Sequence, residues 1–237
     1  MANEWQEKKH RFKLLNAAKS SDAEALRAVI AAADASGWEF AARSAACEKD
    51  LDGYNALMAA ALNRSVECVR ILATISPVNA QRENGETALM IAVQSKQAEC
   101  VKILLPFAKT QLVDRSGHDA LEKAAHNGDA ECVRLLLPAS KAATAPGVRK
   151  KAFGAAAWAG SVECMKLLMP QDFEQVKALC AEWGTQWSRS RWPVAYSVLE
   201  AEFLRRETQA ALIANEGANA SSEESVAKKN HRPPRSL

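Results

Sequence analysis

Long apolar runs are missing from this 237-residue sequence, and none reaches the roughly 18 residues that a membrane-spanning helix requires. Residues 1–11 are polar and charged, so we expect no secretion signal. The net charge of +3 is too small to demand nucleic acid or an anionic membrane as the partner. These features favour a cytoplasmic protein without a membrane span.

Residues that carry chemistry are also scarce. Only four histidines occur, and they form no Ser/His/acid or Cys/His arrangement. The six cysteines include no Cys-x-x-Cys pair of the kind that binds zinc. Glycine-rich phosphate loops and kinase signatures are absent as well. We therefore predict a non-catalytic protein with no cofactor and no metal site.

What the sequence does contain is a repeat. Glu-Cys-Val occurs three times and Glu-Cys-Met once, always 32 residues apart, and the copies begin at Glu67, Glu99, Glu131 and Glu163. A fixed period of 20 to 50 residues is typical of stacked repeat architectures. Because such a stack presents an extended surface, the period predicts a binding protein.

The cysteines of these copies occupy equivalent positions, at Cys68, Cys100, Cys132 and Cys164. Packed helices lie about 10 Å apart, whereas a disulfide needs Cα atoms within about 7 Å of each other. We therefore expect four reduced, buried, apolar side chains. Reduced thiols again indicate the cytoplasm.

Residues 84–106 show how one unit is built. Gly85 suits a tight turn with positive φ, and Thr87 can cap the helix that follows. Two apolar stripes with three- and four-residue spacing predict two short helices, and Pro106 ends the second one. A single helix pair cannot bury its apolar faces alone, so the units must stack.

Gly-x-Thr-Ala-Leu-Met-x-Ala in residues 85–92, followed by Glu-Cys-Val-x-x-Leu-Leu in residues 99–105, resembles the ankyrin repeat. The resemblance implies an all-α solenoid of helix-turn-helix units joined by short turn fingers. It covers residues 50–170 as four repeats. The sequence departs from the family where alanine replaces the usual proline and where Met58, Met90 and Glu122 replace the usual histidine.

The two ends are less regular. We expect an N-terminal extension in residues 1–11 and an atypical capping repeat in 12–49, whose long finger contains Trp38 and Phe40. Residues 171–214 are expected to form a helical cap, and 215–237 a disordered basic tail. The segment from Trp183 to Trp192 contains three tryptophans and two arginines, which suits a cover for the stack, a protein-binding cluster or a nucleic-acid platform.

The resemblance implies that the turn tips and the ends of the first helices bind a protein partner. Carried over to this chain, the predicted protein-binding residues are Tyr54, Leu62, Glu86, Arg115, His118, His126, Lys150 and Trp158. We predict a monomeric interaction scaffold. The alternative is a nucleic-acid- or membrane-associated adaptor that uses the basic tips, the Trp/Arg segment and the basic tail, which would also suit the nucleus.

The turn tips carry a charge gradient. The earlier tips are acidic, with Asp50, Asp52, Glu83 and Glu86. The later tips are basic, with Arg115, Arg149, Lys150 and Lys151. A partner with the opposite gradient would be oriented by these charges.

Overall fold

The computed structural model describes residues 12–35, 48–140, 146–170, 178, 181 and 193–230, and all regular secondary structure in them is helical. The chain divides into two compact units, Met1–Met169 and Pro170–Leu237. Several sequence predictions lie outside the described residues. They concern the N-terminal extension, the finger with Trp38 and Phe40, the Trp183–Trp192 segment and residues 231–237.

The described part of the first unit consists of consecutive helix pairs. Its helices are α1 (12–19), α2 (Ala23–Ala35), α3 (Ala56–Leu62), α4 (Val66–Ile75), α5 (Ala88–Gln94), α6 (Ala98–Leu104), α7 (Ala120–His126), α8 (Ala130–Ala139), α9 (Pro146–Trp158) and α10 (Val162–Leu168). From α3 onwards, each first helix packs on its own second helix and on the first helix of the next pair. The second helices pack on one another in the same way. The predicted all-α solenoid is confirmed.

Turn and cap residues set where the first helices begin. The turn before each of α3, α5 and α7 contains a glycine with φ near +80°, at Gly53, Gly85 and Gly117. Two residues later, the side chains of Asn55, Thr87 and Asp119 accept the N–H of the third helical residue, at 2.9, 3.3 and 2.8 Å. These caps satisfy donors that short helices otherwise leave unpaired.

The four repeated cysteines lie in the core between the helix layers. Each is free and fully buried, as the sequence predicts. Burial, with a smaller contribution from the charge of Glu99, raises the pKa of the Cys100 thiol to about 11. Burial also raises the pKa of Cys132 and Cys164. Because the thiolate is the reactive form, these cysteines act as packing residues.

Ion pairs join the second helices along the solvent face, and we call this set the outer ladder. Within helices, Arg70 lies 3.6 Å from Glu67, Lys102 2.9 Å from Glu99, and Arg134 3.8 Å from Glu131. Between helices, Arg27 pairs with Glu67, and Arg134 lies 2.7 Å from Glu163. The side chains of the outer ladder are exposed to solvent. Because exposed ion pairs contribute little to stability, we do not expect the outer ladder to hold the repeats together.

The fifth helix pair differs at its entry. The residues that replace the glycine turn, 148–151, lie inside α9, which begins at Pro146 and runs for 13 residues. Proline is favoured in the first turn of a helix because the N–H it lacks has no partner there. The fifth pair therefore presents a longer first helix than the pairs before it.

The second unit contains one long described helix, α11 (Pro193–Asn230). The sequence analysis predicts disorder from residue 215, whereas the structure continues the helix to Asn230. Alanine, glutamate and lysine in this stretch favour a helix, and no proline interrupts it before Pro233.

In the part of the chain that the structure describes, no helix is both long and apolar enough to cross a membrane.

The loop between the two helices of a pair contains one residue with positive φ. Glycine fills this position at Gly128 (φ 66°) and Gly160 (φ 69°), but Arg64 (φ 61°) and Lys96 (φ 54°) fill it in earlier repeats. A residue with a Cβ atom is strained in this conformation by about 1–2 kcal/mol. The second and third repeats therefore store strain that the fourth and fifth lack.

We expect Lys96→Gly to raise the free energy of unfolding by up to about 1 kcal/mol, because relief of strain exceeds the added flexibility of the unfolded chain. Urea unfolding followed by circular dichroism measures the change. Lys96→Ala is the control, because it removes the side chain but keeps Cβ and the strain. Equal stabilities of the two variants would contradict the prediction.

Candidate functional site

A groove crosses the first helices of the third to fifth repeats. One cavity of about 470 Å³ lies between the turn before α7, α7 itself and α9, and its lining includes His118, Glu122, His126, Lys151 and Trp158. A second cavity of about 400 Å³ shares His118, Glu122 and His126 and extends to Gln94, Asp114 and Lys123. We call the two cavities together the α5–α9 groove.

Three of the predicted binding residues line this groove. His118 lies on the turn before α7, while His126 and Trp158 are the last residues of α7 and α9. All three are exposed, and the Trp158 side chain is 60% exposed. The structure thus brings together residues that are up to 40 positions apart in sequence.

Trp158 belongs to a row of exposed residues, one in each of four repeats. Each is the last residue of a first helix, and they are Leu62, Gln94, His126 and Trp158. We call this set the helix-end row. Its last three members line the α5–α9 groove, while Leu62, 45% exposed, continues the row at α3.

Two further predicted residues are sequence neighbours of lining residues. Arg115 is exposed on the turn tip and precedes Ser116, which lines the groove. Lys150 is exposed on α9 and precedes Lys151, another lining residue. Neither Arg115 nor Lys150 itself lines either cavity.

Tyr54 is half-buried, and its ring packs against a residue of the next repeat. The guanidinium of Arg82 stacks over the ring, 3.8 Å from its centroid. The same guanidinium donates to the backbone oxygen of Asp52, at 2.9 Å from Nη2. Tyr54 therefore joins the second repeat to the third, and one face of its ring is covered.

Glu86 corrects the sequence prediction, which places it among the partner contacts at a turn tip. It is 8% exposed, and its carboxylate accepts hydrogen bonds from Arg82 (3.2 Å), Asn84 (2.8 Å), Gln94 (2.6 Å) and Lys123 (3.1 Å). Burial alone would raise the pKa of Glu86, but the bonds from Asn84, Lys123 and Gln94 lower it. The side chain is thus held inside the protein.

Lys123 is the partner of Glu86 that comes from the next repeat. Its Nζ lies 3.1 Å from Glu86 Oε1 and 2.8 Å from Asp114 Oδ2, and its side chain is 12% exposed. We call Arg82, Glu86, Asp114 and Lys123 the Lys123 network. The sequence analysis missed it, although one feature points to it. Lys123 occupies a position that is apolar and buried in the preceding repeats, at Ala59 and Ile91.

Two acids are buried at the start of α7. The Asp119 carboxylate accepts the Glu122 N–H at 2.8 Å. They are 8% and 5% exposed, and burial raises the pKa of both carboxyl groups. For Glu122 the charge of Asp119 adds to the shift. The glutamate that replaces Met58 and Met90 of earlier repeats is thus buried beside the cap residue of its own helix.

The described residues offer no group of three or more histidine, cysteine, aspartate or glutamate side chains that could hold a metal ion. What the groove offers is an exposed indole, two imidazoles and surrounding cations over a polar floor. These groups suit recognition of another macromolecule through packing, hydrogen bonds and charge.

A family model described as "Ankyrin repeats (3 copies)" matches residues 14–114, a range that includes the irregular first helix pair. A search of curated proteins found no significant match. Residues 14–114 therefore consist of ankyrin repeats, the family that the sequence pattern resembles, and such repeats are generally protein–protein interaction modules.

Proposed function

We propose that the chain is a non-catalytic scaffold that binds a protein partner in the α5–α9 groove. One observation carries the proposal: His118, His126 and Trp158, each selected from the sequence alone, line a single groove. An indole that is 60% exposed is a typical anchor for a protein partner. Arg115 and Lys150 would contact the partner at the rim.

Leu62 extends the proposed surface towards the second repeat. It continues the helix-end row, so a long partner would meet Trp158, His126, Gln94 and Leu62 in turn. Tyr54 and Glu86 have a different part in this proposal. They hold neighbouring repeats together, and Glu86 thereby fixes Lys123 beneath the groove.

The alternative of a nucleic-acid- or membrane-associated adaptor relies in part on the basic residues 149–151, and Arg149 is not available to such a partner. Arg149 is half-buried, its Nη1 donates to the Met169 oxygen at 3.1 Å, and burial lowers its pKa. Arg149 is therefore already engaged within the first unit. For the compartment we propose the cytoplasm, since four buried free cysteines fit a reducing environment.

Affinity capture from cell lysate tests the groove. We expect Trp158→Ala combined with His126→Ala to lose at least 90% of each specifically captured protein, since removal of one buried anchor costs about 2 kcal/mol or more of binding. Both residues are exposed, so the variant should keep the wild-type circular dichroism spectrum.

The control for this capture carries two substitutions on the outer ladder, Lys102→Ala and Arg134→Ala. It should retain the captured proteins, because the outer ladder belongs to the opposite helix layer. Proteins lost equally from both variants, or from neither, would contradict binding in the α5–α9 groove.

A further inference from the structure

The acids of the α5–α9 groove are held by the protein itself. The Asp114 carboxylate accepts the backbone N–H of Ser116 at 2.9 Å and of His118 at 3.0 Å, and it also pairs with Lys123 at 2.8 Å. Glu122 is 5% exposed, and Asp119, which caps the same helix, is 8% exposed. These carboxylates therefore present little negative charge to a partner.

Three exposed cations lie among the residues that line the groove or directly beside them in sequence. Lys151 lines the groove, Lys150 precedes it on α9, and Arg115 adjoins the lining residue Ser116 on the turn before α7. All three cations are exposed. Because the carboxylates of Glu122 and Asp119 are buried and the three cations are exposed, the groove attracts negative charge.

The helix-end row also limits the shape of the partner. It presents one side chain from each of four repeats, and packed helices are separated by about 8–10 Å. An extended chain advances about 3.3 Å per residue and a polyproline II chain about 3.1 Å. Every third residue of an extended segment therefore meets the next member of the row.

We propose that the segment bound by this groove is an extended, acidic peptide segment of the partner protein. Its carboxylates pair with Arg115 and Lys151, and one of its apolar side chains packs on the indole of Trp158. Along the helix-end row, every third residue of the bound segment contacts the next repeat. The inference rests on the proposed function and adds the chemistry and shape of the partner.

Selection from a random 12-residue peptide library on the immobilised full chain tests the inference. We expect the selected peptides to contain more aspartate and glutamate than the library, with an apolar residue kept at a fixed position. Fluorescence anisotropy with one selected acidic peptide then measures affinity. We expect the affinity to fall as salt rises, since these charges are solvent-exposed.

A charge variant and a matched control sharpen this test. Arg115→Glu with Lys151→Gln should weaken binding of the selected peptide at least tenfold. Glutamine at 151 avoids placing a third carboxylate beside Asp119 and Glu122. Lys102→Glu with Arg134→Gln changes the net charge equally but lies on the outer ladder, so affinity should stay within twofold.

The outcomes separate the inference from the proposed function. Selected peptides that require Trp158 but are neutral or basic would overturn the inference and leave the proposed function standing. Selected peptides that bind Trp158→Ala as well as wild type, or no enrichment at all, would count against both. A single-stranded 12-nucleotide probe that displaces the peptide at lower concentration would identify nucleic acid as the occupant. A dimer in sedimentation that Trp158→Ala dissociates would identify a second copy.

Discussion

Gly85→Ala is expected to lower the free energy of unfolding by about 3 kcal/mol, through strain and overpacking together. Gly85 has a φ of +82°, and an added Cβ would lie 2.9 Å from Asp114 Cα and 3.0 Å from the backbone N of Arg115. These are backbone atoms of the next turn, which also donates its Arg115 N–H to the Asn84 oxygen at 2.8 Å. The two turns can separate only by breaking that bond. Urea unfolding measures the loss.

Gly117→Ala is the matched control for this substitution. Gly117 has nearly the same φ, +79°, but no atom beyond its two chain neighbours lies within 4 Å of the added Cβ. It should therefore cost only the strain of positive φ, about 1 kcal/mol. Equal losses from the two variants would show that the close contact between the turns of the third and fourth repeats is absent.

Lys123→Met is expected to lower the free energy of unfolding by about 2–3 kcal/mol at neutral pH, because it leaves two carboxylates without their shared cation. This loss is smaller than the roughly 3–5 kcal/mol expected when a buried ion pair is broken, because both carboxylates keep other hydrogen-bond donors. Glu86 keeps Arg82, Asn84 and Gln94, and Asp114 keeps two backbone N–H groups. Urea unfolding at a series of pH values measures the loss.

The pH dependence of this loss has a definite sign. Burial opposes ionisation of Glu86 and Asp114, but hydrogen bonds, those from Lys123 included, lower the pKa of both below the usual 4.5 and 3.8. A lowered carboxyl pKa contributes stability above the usual value, and that contribution disappears as pH falls through the folded value. The difference between wild type and Lys123→Met should therefore shrink below about pH 4.

Lys102→Met provides the control for Lys123. Lys102 pairs with Glu99 on the outer ladder, where both side chains are well exposed. Its loss should leave stability nearly unchanged at every pH. If the two methionine variants behave alike, the Lys123 network does not hold the repeats together.

Local patterns made much of the fold predictable. The 32-residue period predicted the helix pairs, and the glycine before each cap predicted the turns. The equivalent positions of the repeated cysteines predicted that they lie in the core. Each of these features depends on residues close in sequence or on exact repetition. The continuation of α11 beyond residue 215 was not predicted, because the segment has few apolar residues and was therefore expected to be disordered. Its alanine, glutamate and lysine residues nevertheless favour a helix.

The candidate site was predictable only in part. Repeat arithmetic aligns His126 with Trp158 and Glu86 with His118, but aligned positions do not share an environment. His118 is exposed, whereas Glu86 is buried and pairs with Lys123, a residue of the next repeat. Such a contact depends on an exception to the repeat, and it becomes visible only when neighbouring units are packed together.

The most direct test of the account is photo-crosslinking in cell lysate from a benzophenone amino acid placed at His126 or at Lys102. Binding in the α5–α9 groove predicts crosslinked protein from position 126 only, which excess wild type suppresses and excess Trp158→Ala does not. Crosslinks of equal yield from the two positions, or from position 102 alone, would contradict it.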